Sequence, residues 1–238
     1  MKVLVIPDVH LKPQMFRQAA AFMRAGKAKR AVCLMDIPDD WDREYDIACY
    51  EETYDEAIRF AVEFPDTAWC YGNHDLSYFW HCPERGYSSV ASETVQRKLL
   101  ELRRKVPEDN PICYVQKIDH VLFSHGGVLN YFVEEYVPKS KYHDVDAVVK
   151  EINKLGRTEM WNDMSPIWLR PQHSGMRLYK PRKILQVVGH TPMDEITREK
   201  NLFSTDVFST YRDGRAIGTQ EFLLLDTETW EYIGIKSL

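Results

Sequence analysis

The 238-residue chain is 44% hydrophobic, 28% charged and 12% aromatic, which excludes a disordered or low-complexity polymer and allows one large domain or two small ones. Its formal net charge of −5 excludes a general field for attracting nucleic acid. No run approaches the ~20 apolar residues of a membrane span. The five cysteines, Cys33, Cys49, Cys70, Cys82 and Cys113, form no CxxC pair, so thiols in a reducing cytoplasm are expected.

In chain order, residues 2–6 form a continuous β-rich run, the pattern of a strand covered on both faces. The run is too short for a signal peptide and meets Pro7-Asp8-Val9-His10 at once. Residues 13–25 have helical composition and stop at Gly26. A second apolar run, residues 31–35, stops at Asp36, and the acidic stretch 37–46, with Pro38 and Trp41, reads as loop. Apolar positions at Ala57, Ile58, Ala61, Val62 and Phe64 predict a helix over 50–64, closed by Pro65. Thr67-Ala68-Trp69-Cys70-Tyr71 then reads as a buried strand that delivers Gly72-Asn73-His74-Asp75. The order β-α-β-α-β implies parallel strands with right-handed crossovers, and ligands gather at the carboxyl ends of such strands.

The rest is less regular. Residues 76–83 are aromatic and polar, and residues 92–106 predict a helix with Ser92 as its N-cap. Residues 112–117 and 120–123 read as strands joined at Ile118-Asp119, the second ending in Ser124-His125-Gly126-Gly127. A long excursion, 128–182, carries a helical patch at 145–155 and the aromatic residues Trp161, Trp168 and Tyr179. The strand at 184–188 ends in Gly189-His190-Thr191-Pro192, and residues 202–203, 221–225 and 230–235 read as closing antiparallel strands. The short basic clusters at 103–105 and 180–183 read as solvated surface. With no repeat or linker, a single domain over 1–238 is expected, with cleft-lining insertions at about 76–112 and 128–182.

Five segments carry the chemistry: Asp8-Val9-His10, Asp36-Ile37-Pro38-Asp39, Gly72-Asn73-His74-Asp75, His125-Gly126-Gly127 and Gly189-His190-Thr191. Each lies just past a predicted strand, and parallel neighbours in one sheet would bring them together. Carboxylate, imidazole and amide without thiolate suit a divalent cation such as Mn, Fe, Zn, Co or Ni. Six ligands are too many for one structural zinc and suit two metals sharing a bridging carboxylate. The adjacent glycines allow sharp turns and close approach.

This order resembles the calcineurin-like metallophosphoesterase superfamily, and within it the bacterial and phage branch similar to phosphoprotein phosphatases. The family pattern of Asp-x-His, Gly-Asp-x-x-Asp, Gly-Asn-His-Asp/Glu, His-Gly-Gly and Gly-His runs here from residue 8 to residue 191. The resemblance implies an α/β fold, a four-layer α/β/β/α sandwich of two mixed sheets flanked by helices. It implies two divalent ions, Mn in vitro: Asp8 and His10 on the first, Asp36 bridging, and Asn73, His125 and His190 on the second. His74 would stand outside the metal shell beside the leaving oxygen, oriented by Asp39, with Asp75 in reserve. Two departures stand out. Met35 replaces the usual glycine before the bridging aspartate, and Asp40 replaces a phosphate-gripping arginine, although bacterial relatives carry an Asp-Asp-Trp variant matching Asp39-Asp40-Trp41. Trp168-Leu169-Arg170-Pro171 resembles a Trp-x-Arg-Pro segment whose arginine meets the phosphate, making Arg170 the substitute.

The implied reaction is attack by a bridging hydroxide in line on phosphorus, with protonated His74 supplying a proton to the leaving oxygen. The leading expectation is a phosphomonoesterase acting on a phosphorylated small molecule, nucleotide or phosphoprotein, including phosphoserine or phosphothreonine. The alternatives are a dinucleoside polyphosphate pyrophosphatase, a phosphodiesterase or nuclease, and a non-catalytic scaffold. The acidic balance counts against a nucleic-acid partner, and no membrane partner is expected.

Overall fold

Two five-stranded mixed sheets lie at the centre of the computed structural model, which describes residues 1–180 and 182–236. Pro181, within the expected 128–182 insertion and the basic cluster at 180–183, lies outside the described residues. The first part of the chain alternates as its apolar runs imply: β1 (Lys2–Ile6), α1 (Pro13–Arg24), β2 (Arg30–Cys33), α2 (Ile47–Glu63) and β3 (Ala68–Trp69). Helices α3 (Asn73–Phe79) and α4 (Ser92–Lys105) follow, then the hairpin β4 (Val115–Ile118) and β5 (Val121–Ser124). The excursion holds α5 (Asn130–Tyr136), α6 (Val145–Ile152) and the single-turn helices α7 (Arg157–Met160) and α8 (Pro171–Ser174). The chain closes with β6 (Leu185–Val188), β7 (Thr197–Glu199), β8 (Leu202–Ser204), β9 (Glu221–Asp226) and β10 (Tyr232–Lys236).

The first sheet runs β10-β9-β1-β2-β3 and the second β4-β5-β6-β8-β7. Strands β1, β2 and β3 pair in parallel, as do β5, β6 and β8. Alternation along the strands divides the core. Val3, Val5, Val32, Leu223 and Leu225 of the first sheet pack against Val121, Phe123, Leu185, Val187 and Phe203 of the second. Their neighbours Leu4, Ile6, Cys33 and Trp69 face the helical layer that includes Met15, Phe16, Tyr54 and Phe60. The result is the expected four-layer α/β/β/α sandwich. The functional loops therefore leave two sheets and not one, which corrects the expectation of neighbours in a single sheet.

Local chemistry explains the other differences. Helix α2 begins at residue 47 because Asp46 accepts from Cys49 N at 3.1 Å and caps it. Ser92 is the first residue of α4, not its cap, and its Oγ hydrogen-bonds Tyr87 Oη at 2.7 Å. Residues 73–79 are helical, with Asp75 at the third position accepting from Gly72 N at 3.1 Å. The hairpin turns at Asp119-His120, one residue later than expected, with Asp119 at φ 52°. Strand β8 is parallel to β6 and antiparallel only to the unforeseen β7, because the chain turns at Lys200, at φ 55°. Among the described residues the five cysteines are free thiols and no helix is long and apolar enough to cross a membrane.

Phe123 is fully buried between the sheets. Phe123→Ala should cost ~3–5 kcal/mol of stability, read as a lower urea midpoint at unchanged slope. An unchanged midpoint would contradict the inter-sheet core described here.

Candidate metal centre

Strands β1 and β2 continue to pair beyond their ends. Val9 N donates to Met35 O at 3.0 Å, His10 N to Asp36 O at 2.8 Å and Leu11 N to Ile37 O at 3.0 Å. This extension sets Asp8 and His10 beside Asp36. It requires left-handed backbone at His10 (φ 42°), Met35 (57°), Asp36 (41°) and Asp39 (66°). Such conformations cost roughly 1–2 kcal/mol for a residue with a β-carbon, so Met35 occupies a position suited to the glycine that it replaces. The second sheet supplies His125 after β5 and His190 after β6, aligned by Gly189 N donating to His125 O at 3.0 Å. Two bonds stitch the sheets together at the site: His190 N donates to Asp8 Oδ2 at 2.8 Å and His125 Nδ1 donates to Leu34 O at 3.1 Å.

Asp36, His125 and His190 offer donor atoms that all lie within 4.8 Å of one another, and Asp8, His10 and Asp36 form a second such group. Asp36 belongs to both. Asn73 joins the first group through Oδ1, which accepts from His125 Nε2 at 3.0 Å. His10 Nδ1 donates to Asp39 O at 2.9 Å, which turns Nε2 inward. Asp8 Oδ1 and His190 Nε2 are buried without a hydrogen-bond partner. Two glycines make this crowding feasible: a β-carbon on Gly72 would stand 1.9 Å from Asp36 Oδ1, and one on Gly189 1.9 Å from Asp8 Oδ1. Orphaned buried donors, oxygen and nitrogen ligands and a shared carboxylate all fit divalent cations.

The electrostatics point the same way. Burial acts to raise Asp36, but His125, His74 and His10 hold it well below the usual carboxylate range. Burial, with Asp206 next, pushes Asp8 well up. For His125 burial acts to lower the value, and Asp36 and Asp8 outweigh it and bring it to about 9. Without cations, then, a proton on His125 balances the carboxylates. Burial and His125 together push His190 well down, so its imidazole is neutral and ready to donate a lone pair.

His74, the second residue of α3, lies beside this cluster, with its backbone N donating to Asp36 Oδ1 at 2.9 Å. Its Nδ1 lies 2.8 Å from Asp39 Oδ2, and Asp39 Oδ1 accepts from Tyr50 Oη at 2.9 Å and Tyr78 Oη at 2.5 Å. Burial acts to lower His74, but Asp36, the Asp39 bond and Glu84 raise it to about 10. Asp75 takes no part in orienting the imidazole. It accepts from Asp36 N at 2.9 Å, Ile37 N at 3.2 Å and Gly72 N at 3.1 Å, tying the loops after β2 and β3 together.

These residues open onto a cleft of about 640 Å³. Arg170 lines it, anchored through Nη1 to His190 O at 2.5 Å and Thr191 Oγ1 at 3.4 Å. Asp40 is restrained by Lys12 Nζ at 3.0 Å and Thr210 Oγ1 at 3.1 Å, so the acidic replacement is neutralised by a side chain that sequence reading passed over. Sequence reading also missed Glu84, which burial pushes up to about 7, and Asp206, which Ser209 Oγ bonds at 2.7 Å. Asp206 carried the same signal as the others, an acid just past an apolar run, but its strand was read as a closing one. Glu84 lies in a loop and carried no signal.

The family model for calcineurin-like phosphoesterases matches residues 1–217. Among solved structures, the chain is similar to the cold-active protein-tyrosine phosphatase of the psychrophile Shewanella sp., at 15% identity and a TM-score of 0.60, over 99% of this chain and 80% of that one. It is also similar to hypothetical protein PH1004 from Pyrococcus horikoshii OT3, at 15% identity and a TM-score of 0.50, over 100% of this chain and 88% of that one. Likenesses at this identity show the fold. No curated protein matches the chain.

Gly189→Ala should push Asp8 out of the cluster. The variant is expected to keep its circular dichroism spectrum and to hold less Mn²⁺ than the parent by elemental analysis. Parental metal content in Gly189→Ala would contradict the cradle.

Proposed function

Because the chain belongs to the calcineurin-like phosphoesterase family, and so is a hydrolase of phosphoester bonds, we propose that it is a metal-dependent phosphomonoesterase with His74 as its general acid. The observation that carries this reading is the bond from His74 Nδ1 to Asp39 Oδ2, at 2.8 Å, in an imidazole whose backbone is fastened to Asp36. Asp8, His10 and Asp36 would hold one divalent cation, and Asp36, Asn73, His125 and His190 another, with manganese the first to try. Bound there, the cations neutralise phosphoryl oxygens and supply a nucleophile from water.

The side chains do the rest. Arg170, already fixed through one nitrogen, presents its remaining donors to a phosphoryl oxygen. Asp39 keeps the proton on His74 and fixes the ring, while Tyr50 and Tyr78 hold Asp39 in place. His74 Nε2 then protonates the departing ester oxygen as charge develops on it. No cysteine or serine nucleophile is used, so no phosphoenzyme forms. The five motifs in order, with the Asp-Asp-Trp loop, support placing the chain in the bacterial and phage branch, and its free thiols accord with a cytoplasmic setting. The competing pyrophosphatase reading draws on Arg85 and Arg212, two more cations lining the cleft.

With Mn²⁺ added, an aryl phosphomonoester should be hydrolysed faster than an aryl diester or a dinucleoside polyphosphate, and the reverse order would overturn the reading. His74→Asn should lower kcat by about 10²-fold or more at parental metal content. Loss of metal from that variant would contradict the separation of roles. Arg170→Ala should weaken inhibition by inorganic phosphate, and an unchanged inhibition constant would remove Arg170 from the phosphate site.

A further inference from the structure

Glu84 stands apart from the residues given roles above. It lies in the loop between α3 and α4, with its side chain 13% exposed, and lines the cleft. Its Oε1 accepts a hydrogen bond from Asn73 Nδ2 and lies 3.6 Å from His74 Nε2. The other ring nitrogen of His74 is occupied by Asp39. The one nitrogen through which His74 can hand over a proton therefore faces a carboxylate. An ester oxygen leaving at that nitrogen must carry its substituent into space bordered by Glu84.

We propose that Glu84 is a specificity-determining residue that restricts the reaction to phosphate esters whose leaving alcohol bears no negative charge next to the scissile oxygen. This rests on the phosphomonoesterase reading with His74 as acid, and it names the substrate class of that site. An alcohol with a neighbouring hydroxyl or amide N–H offers Glu84 a hydrogen bond. A carboxylate or second phosphate at the same place meets a like charge within a few ångströms, on a side chain only 13% exposed and so little screened by water. Arg85 and Arg212 also line the cleft, but both are exposed, where salt screens them, and no ion pair joins either to Glu84. The inner carboxylate thus disfavours the anhydride substrates that the outer arginines would attract. The bond to Asn73 keeps the carboxylate aimed at His74, and Glu84→Gln preserves that acceptor while removing the charge.

The test compares glycerol 2-phosphate with 2-phosphoglycerate, which differ by a hydroxymethyl group replaced with a carboxylate beside the ester carbon. Parent and Glu84→Gln are loaded with Mn²⁺, analysed for metal, and assayed at pH 8. The parent should prefer the neutral ester in kcat/KM by about tenfold or more, and Glu84→Gln should reduce that preference by about tenfold at unchanged metal content. A preference that moves less than about twofold with metal retained would overturn the proposal. Loss of metal from Glu84→Gln would also overturn it, assigning Glu84 to holding Asn73 instead. Hydrolysis of neither ester, nor of an aryl phosphate, by the metal-loaded parent would overturn the phosphomonoesterase reading itself.

Discussion

The Asp36 carboxylate is enclosed at the meeting of two sheets and belongs to both groups of donor atoms. An isolated carboxylate so deeply buried would be driven towards its neutral form. Here three imidazoles reverse that tendency, and Asp36 stays ionised. Much of the architecture serves this one group. Asp75 ties the backbone on both sides of it, His74 N and His125 Nε2 reach it from separate sheets, and Gly72 leaves room for its oxygen. A cluster this rich in charge is an unstable arrangement without cations, and protons on His125 and His74 take their place until cations arrive.

The same constraint explains the backbone. Regular strands would stop short of bringing the six candidate ligands together, so the loops after β1, β2 and β6 adopt left-handed conformations at His10, Met35, Asp36, Asp39 and His190. Strain of this kind persists where surrounding structure over-determines it. The parallel extension from Val9 to Leu11 against residues 35–37 provides that restraint in the first sheet, and the bond from His190 N to Asp8 provides it between sheets. Function here is a property of strand ends, which is why adjacent residues have unlike surroundings: Asn73 points into the cluster, His74 along the cleft, and Asp75 back into the backbone.

Much of this was legible in the sequence, for a physical reason. A buried strand that stops abruptly at Asp, His or Asn advertises both its own end and the group placed there, so Asp8, Asp36, Asn73, His125 and His190 could all be read together with the strands that carry them. Met35 could be noticed as a departure, but only the φ of 57° shows what it costs. The sandwich came through resemblance, and the assignment of the loops to two sheets needed the inter-sheet core to be seen. Glu84, Lys12 and Thr210 were illegible because contacts between loops leave no periodicity. Asp40 illustrates the consequence: alone it read as a missing cation, whereas beside Lys12 it is a neutralised tether.

The central claim is that one carboxylate serves two cations. Low-temperature electron paramagnetic resonance of the protein loaded with Mn²⁺ tests it directly. The account predicts two ions per chain with the signal of an exchange-coupled pair, lost in Asp36→Asn. A single ion, or two magnetically isolated ions that Asp36→Asn leaves untouched, would contradict it.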